Sequence, residues 1–214
     1  YWQHNKFSKS FGKIGKTFDF INMLLSSSFL IKKNKIKIIH CRSHIPALAG
    51  LFLKFFFYIK LIFDFRGLWI EERFDYKIWS KKNIFNLIYY KFFKYLEIKI
   101  LKNSDYIVCL TNSIKPYLNR ICKNKIPISV IPCCSDYNFF KKNKFKKNKV
   151  KDFLNIKKNF SVIGYAGSIN QIYLIKEMIF FFLFLQKKNP NLIFVFVTHQ
   201  INELKNIIDK NFNK

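Results

Sequence analysis

The residues with the most chemistry lie in Asp64-Phe65-Arg66-Gly67-Leu68-Trp69-Ile70-Glu71-Glu72-Arg73, where an apolar run ends in charge. If the run is a β-strand, Asp64 and Arg66 project from the same side of its end, two residues apart. A guanidinium held there can grip an anionic group such as a diphosphate through paired hydrogen bonds. The alternative is an ion pair that closes the strand end. Gly164-Tyr165-Ala166-Gly167-Ser168 also lies between an apolar run and a helical segment. Glycine there lets backbone N–H groups approach a phosphate, and a helix N-terminus adds partial positive charge. Two glycines do not make the dinucleotide fingerprint, and a tight turn without a ligand explains the same residues.

His40-Cys41-Arg42-Ser43-His44 carries two histidines around an arginine. No third ligand follows at metal-binding spacing, so no metal site is assigned. Cys41 with His44 lacks an orienting carboxylate and an oxyanion donor, so it is not assigned as a nucleophile pair. His4 and His199 give no signal. The cysteines Cys41, Cys109, Cys122, Cys133 and Cys134 form no framework spacing, which points to a reducing compartment, the cytoplasm.

The elements that must position these residues alternate. Short, continuously apolar runs read as strands buried on both faces: Lys37–His40, Lys60–Phe65, Tyr106–Leu110, Ile128–Ile131, Phe160–Tyr165 and Leu192–Val197. Between them, helical spacing covers Pro46–Tyr58, Asn83–Lys102, Ser113–Cys122, Gln171–Lys188 and Ile201–Phe212. In the second of these, Phe85, Ile88, Phe92 and Tyr95 share one face. Alternation of this kind predicts an α/β fold with parallel sheets and helices on both faces. Ligands in such folds lie beyond the carboxyl ends of the strands, which singles out Arg42, Ser43, Arg66, Gly67, Thr111, Cys133 and the Gly167 turn.

The apolar stretch Ile45–Phe63 has the length of a membrane span, but it contains Pro46, Gly50, Lys54 and Lys60. A helix followed by a buried strand accounts for it better. The lysine-rich Lys141–Lys151 reads as a solvated connector between two α/β units.

The formal charge is +27, carried by 39 basic and 12 acidic residues. A hydrophobic content of 50% excludes a disordered basic tail. Only four of the basic residues are arginine, namely Arg42, Arg66, Arg73 and Arg120. Readers of phosphate and base edges favour the arginine fork, so this balance opposes a nucleic-acid partner. It fits a global bias toward lysine, with a basic surface suited to peripheral contact with anionic lipid at the inner face of the cell membrane.

Taken in order, five blocks resemble a GT-B glycosyltransferase of family four. They are Ile38–Ser43, Lys60–Gly67, Asn103–Thr111, Val130–Asp136 and Gly164–Ser168. The resemblance implies two Rossmann-like domains: an acceptor-side domain over 1–140 lacking its first strands, a basic connector over 141–158, and the start of a nucleotide-sugar-binding domain over 159–214. It implies a retaining transfer of sugar from a nucleotide-sugar donor to a glycan or lipid-linked acceptor in envelope polysaccharide synthesis, without metal or cofactor. Arg66 and Asp64 take the catalytic positions by this likeness, Arg66 standing where many members place a histidine. Gly164, Gly167 and Ser168 match the diphosphate loop, and Arg42, Ser43 and Thr111 are candidates for contact with substrate. Ser168 and Leu174 stand where most members carry an arginine and a lysine. The chain opens on Tyr1 and ends before the paired glutamates the family places further on, so it reads as an inactive fragment of an active parent. The competing reading is a non-catalytic basic α/β binding protein for nucleic acid, or a scaffold for other transferases.

Overall fold

The computed structural model of the chain describes residues 12–139, 151–170 and 172–212. Two compact units divide at 134/135. Part of the expected connector, 141–150, lies outside the described residues. Its described remainder falls in the second unit, where the Lys151 ammonium donates to the carbonyls of Lys158 and Phe160 at 3.0 and 2.6 Å.

In the first unit the order is α1 (Gly12–Asn34), β1 (Ile38–Arg42), α2 (His44–Phe57), β2 (Lys60–Phe65), α3 (Trp69–Asp75), α4 (Ile84–Asn103), β3 (Tyr106–Cys109), α5 (Lys115–Cys122) and β4 (Ile128–Val130). The strands form one parallel sheet in the order β1-β2-β3-β4. The second unit pairs β5 (Ser161–Ala166) in parallel with β6 (Leu192–Val197), accompanied by α6 (Ile175–Lys188) and α7 (Ile201–Phe212). The α/β fold with parallel sheets is therefore as expected. The span-length stretch after Ile45 is α2 and then β2, separated by Tyr58 in the left-handed region at φ 53°. Among the described residues no helix is long and apolar enough to cross a membrane.

Burial is less symmetric than continuous apolar strands predict. The main core gathers Phe63, Phe65, Ile107 and Cys109 from the central strands against Ala47 of α2, Ile100 and Leu101 of α4, and Leu118 and Cys122 of α5. At the sheet edge β1 alternates exposed with half-buried residues, leaving Ile38, His40 and Arg42 open. Full burial belongs to strands with neighbours on both sides; among the described residues β5 and β6 have one each, and β5 stays mostly exposed while β6 is half-buried. Gly50 lets α2 press onto the sheet, since a Cβ there would stand 2.5 Å from Cys41 Sγ and 2.9 Å from Leu61 Cδ1.

Two helices escape periodicity. α1 contains Gly12, Gly15 and a run of three serines, which weaken its helical signature; α3 has only seven residues. In α4 the expected stripe forms, and it is the solvent-facing side of the helix. Asn83 caps the helix, its side chain accepting from the N–H groups of Phe85 and Asn86 at 2.9 and 3.4 Å. Its aromatic stripe faces solvent, with Phe85 67%, Ile88 55%, Phe92 54% and Tyr95 56% exposed. Glu97, Ile100 and Leu101 face inward instead.

Asp105 ties the α4–β3 turn to the neighbouring strand. Its carboxylate accepts from Lys54 Nζ at 2.6 Å, Lys60 Nζ at 3.0 Å and Leu61 N at 2.9 Å, while its own N–H donates to the Leu61 carbonyl. Burial pushes this carboxyl up, but the donors outweigh it and hold the pKa at about 2. A depressed carboxyl stabilises the fold above its ordinary titration range, and that stability is lost as pH falls toward its folded value. Asp105→Asn is therefore expected to cost about 1 kcal/mol at neutral pH, reduced by solvent screening at a partly exposed site. Urea titrations of the two proteins should converge between about pH 4 and pH 2; parallel pH profiles would contradict this role.

Candidate functional site

The carboxyl ends of β1, β2 and β3 lie level. Arg42 is in register with Asp64, and Asp64 with Val108. Asp64 is buried, so its charge needs partners. Its Oδ2 lies 3.8 Å from His40 Nε2 and 3.7 Å from Arg66 Nη1, while Oδ1 has no hydrogen-bond partner. These separations are long for ion pairs, and the guanidinium also reaches Cys133 Sγ at 3.6 Å. Arg66 is thus held loosely at the strand end with capacity to spare. Ser43 makes the turn into α2 at φ 72°, an unusual backbone for a serine, and its N–H donates to the Asp64 carbonyl at 3.0 Å.

Beyond Arg66 the chain turns at Gly67, φ 156°, where a Cβ would meet Glu72 Oε1 at 3.0 Å. This turn brings α3 over the strand ends. A cleft of about 310 Å³ results, lined by Arg66, Gly67, Glu71, Glu72, Asp75 and Thr111 among others. Of the expected residues, Arg66 and Thr111 line it; Asp64 lies behind Arg66, and Arg42 and Ser43 belong to the neighbouring strand end. The carboxylates of Glu72 and Asp75 were not anticipated. One guanidinium, a hydroxyl and several carboxylates can orient a polyhydroxylated molecule through hydrogen bonds in both directions.

Behind the cleft lies a buried polar network. Glu97 is fully buried; its Oε2 lies 2.7 Å from His44 Nε2, and its Oε1 accepts from Lys94 Nζ at 2.6 Å and Tyr117 Oη at 2.8 Å. Lys94 also donates to Glu71, the α3 residue that lines the cleft. Burial raises the Glu97 carboxyl, but hydrogen bonds from His44 and Lys94 outweigh it and hold the carboxyl below its usual range. Burial likewise lowers the Lys94 ammonium, and its bonds to Glu71 and Glu97 more than reverse that. The Tyr117 hydroxyl is pushed up by burial to about 12. His44 stacks on Trp69 at 5.6 Å and serves this network rather than Cys41. Burial pushes the Cys41 thiol to about 11, leaving it protonated at neutral pH and a poor nucleophile. No group of three or more His, Cys, Asp or Glu suited to a metal occurs among the described residues. The signal missed in the sequence was a single acid in an otherwise apolar and basic helix.

In the second unit a cleft of about 340 Å³ opens at the carboxyl ends of β5 and β6, lined by Gly167, Ser168, Val197, Thr198, His199 and Gln200. Gly167 donates to the Val197 carbonyl at 3.1 Å, and Gln200 Oε1 accepts from Ile169 N at 2.8 Å. A Cβ at Gly167 would stand 2.8 Å from the Tyr165 hydroxyl, which itself donates to the Ser168 carbonyl. Gly164 is placed apart, inside β5 with open space around it. Leu174 precedes α6, exposed and outside the cleft lining. His199 had looked silent, although its place just after β6 is the strand-end position where ligands gather.

Arg66→Ala removes one long ion pair to Asp64 and a weak contact to Cys133 Sγ, which contribute about 1 kcal/mol or less, so the melting temperature should fall by no more than about 4 °C. Glu97→Ala strands buried partners and should cost about 3–5 kcal/mol. Thermal melts of both variants check the contrast; an equal loss would make Arg66 a structural residue.

The family described as Glycosyltransferase Family 4 matches residues 4–139, more than half of the chain. No curated protein sequence matches significantly. Among solved structures, the fold is similar to Anabaena HepE, solved with UDP and glucose, at TM-score 0.60 and 11% identity over 94% of this chain and 50% of that one. It is similar to S. aureus MnaA, solved with UDP, at TM-score 0.55 and 13% identity over 92% of this chain and 51% of the other. Sucrose-phosphate synthase from Thermosynechococcus elongatus gives 0.53 and 13%, over 96% and 54%. The chain thus spans about half the length of these proteins. At such identities the likeness establishes the fold.

Proposed function

Since the chain belongs to Glycosyltransferase Family 4, we propose that it serves transfer of a sugar from a nucleotide-sugar donor to a glycan or lipid-linked acceptor. In this reading the cleft at β5 and β6 takes the nucleotide diphosphate, and the cleft at Arg66 takes the acceptor. The transfer retains anomeric configuration, belongs to cell-envelope polysaccharide synthesis and takes place in the cytoplasm at the membrane face. The sugar nucleotide is a substrate, and no metal or cofactor is assigned.

The observation that carries the reading is the pair of strand-end clefts, one in each unit, in a chain of this family. Ser168, Thr198 and His199 line this cleft and offer side-chain donors suited to a diphosphate. Arg66 cannot act as a base at neutral pH. Its role is to position a substrate or to stabilise developing negative charge by a preorganised electrostatic contact. Asp64 holds Arg66 in place from behind.

UDP is the natural probe. Titration calorimetry on the 214-residue chain is expected to show saturable UDP binding. A side chain at residue 167 displaces Tyr165 and intrudes on the cleft, so Gly167→Val should weaken binding about tenfold or more, equivalent to about 1.4 kcal/mol. Arg66→Ala should leave it within about twofold, and the same change in the active parent should lower sugar transfer. Absence of saturable UDP binding in the unmodified chain would sink the donor assignment.

A further inference from the structure

The outward face of α4 has no packing partner among the described residues. Phe85, Ile88, Phe92 and Tyr95 form a continuous apolar ridge, about 15 Å long at the rise of an α-helix. Beneath it Phe74, Trp79, Tyr90 and Phe93 pack ring against ring, with centroids 5.4–6.2 Å apart, so the ridge rests on a firm base. The helix and the loop that leads into it expose one sign of charge, with the exposed Asp75 lying just ahead of that loop. From Tyr76 to Asn103 there are seven lysines and a single acid, Glu97, which is fully buried and bonded to Lys94. Lys91, Lys99 and Lys102 are exposed on α4, and Lys77, Lys81 and Lys82 lie just ahead of it.

We infer that this ridge is a docking surface for an anionic lipid bilayer, lying in the plane of the headgroups. Aromatic side chains settle at the boundary of headgroups and acyl chains, while lysines reach outward to anionic headgroups. Both halves of that chemistry occur on one helix, which exposes no acid of its own. A second copy of the chain fits poorly, because each copy brings +27 and the same lysines to the contact. A duplex fits poorly too, because the ridge offers apolar surface and no arginine fork where base readers need one. The assignment deepens the proposed function, resting on its lipid-linked acceptor, and its test is independent of UDP binding in solution.

The test is co-sedimentation of the 214-residue chain with vesicles of phosphatidylcholine, alone or mixed with phosphatidylglycerol. Binding to the mixed vesicles should be about tenfold tighter or more and should weaken as salt rises. The triple variant Phe85→Ser, Ile88→Ser, Phe92→Ser should bind at least about tenfold more weakly. The variant Lys91→Gln, Lys99→Gln, Lys102→Gln should lose about fivefold per lysine. All six positions are outside the core, so circular dichroism should show both variants folded. Phe180→Ser with Phe181→Ser, an exposed pair on α6, should bind as the unmodified chain does. Equal binding to both vesicle types would overturn the assignment, as would undiminished binding of the ridge variant. So would a ridge variant that loses only self-association or DNA binding. Retained UDP binding in a chain that ignores vesicles would overturn this inference and leave the donor assignment standing.

Discussion

A carboxylate without solvent must be neutralised where it stands, and the first unit is organised around that demand at Glu97. Four secondary elements supply its surroundings: His44 from the start of α2, Glu71 from α3, Lys94 from one turn before it on α4 and Tyr117 from α5. Buried charges are tolerated when their partners are complete. Completing them fixes how far each helix slides along its neighbours. The cost falls on the interior, and the return is positional: α3 is pinned at Glu71, and α3 forms one wall of the cleft that contains Arg66. Packing alone, with residues such as Leu101 and Leu118, would tolerate small shifts that a network of directed bonds does not.

Around this frame the two units repeat one device. Parallel strands end together, loops of small or polar residues follow, and a cleft forms where the backbone stops pairing. In the first unit the cleft is rich in carboxylates and holds one guanidinium; in the second it is made of glycine, hydroxyls, an amide and an imidazole. Under the proposed function, this difference in chemistry corresponds to a hydroxylated ligand in one cleft and a phosphorylated one in the other. Arg66 owes its availability to an imperfect partner, because Asp64 neutralises it from 3.7 Å rather than closing a tight fork.

The alternation of strands and helices was legible because continuous apolar runs such as Leu61–Phe63 have few other uses, and β2 and β6 fall where the residues suggest. The strand-end rule also located Arg66, Thr111 and Gly167 beside clefts. Burial was less legible. In α4 both faces carry large apolar residues, so periodicity finds the stripe at Phe85 and Ile88 but cannot say which way it points. The deciding group was Glu97, whose burial depends on residues 53 positions away in sequence at His44. Contacts of that range leave no local trace. The same holds for Glu72 and Asp75, which reach the cleft only because the chain reverses at Gly67, and for Gly164, whose place within β5 depends on its register with β6.

The edge of the sheet at β1 has a consequence for how the protein behaves in a crowded solution. Its outer row of backbone donors and acceptors faces no strand among the described residues, and such a row is a template for any extended chain that meets it. Lys37, His40 and Arg42 punctuate that edge with positive or protonatable groups. Two copies approaching edge to edge therefore repel while salt is low, and the barrier thins as salt rises. Colloidal stability in this molecule is thus partly an electrostatic property of one short strand, separable from the free energy that keeps its interior folded.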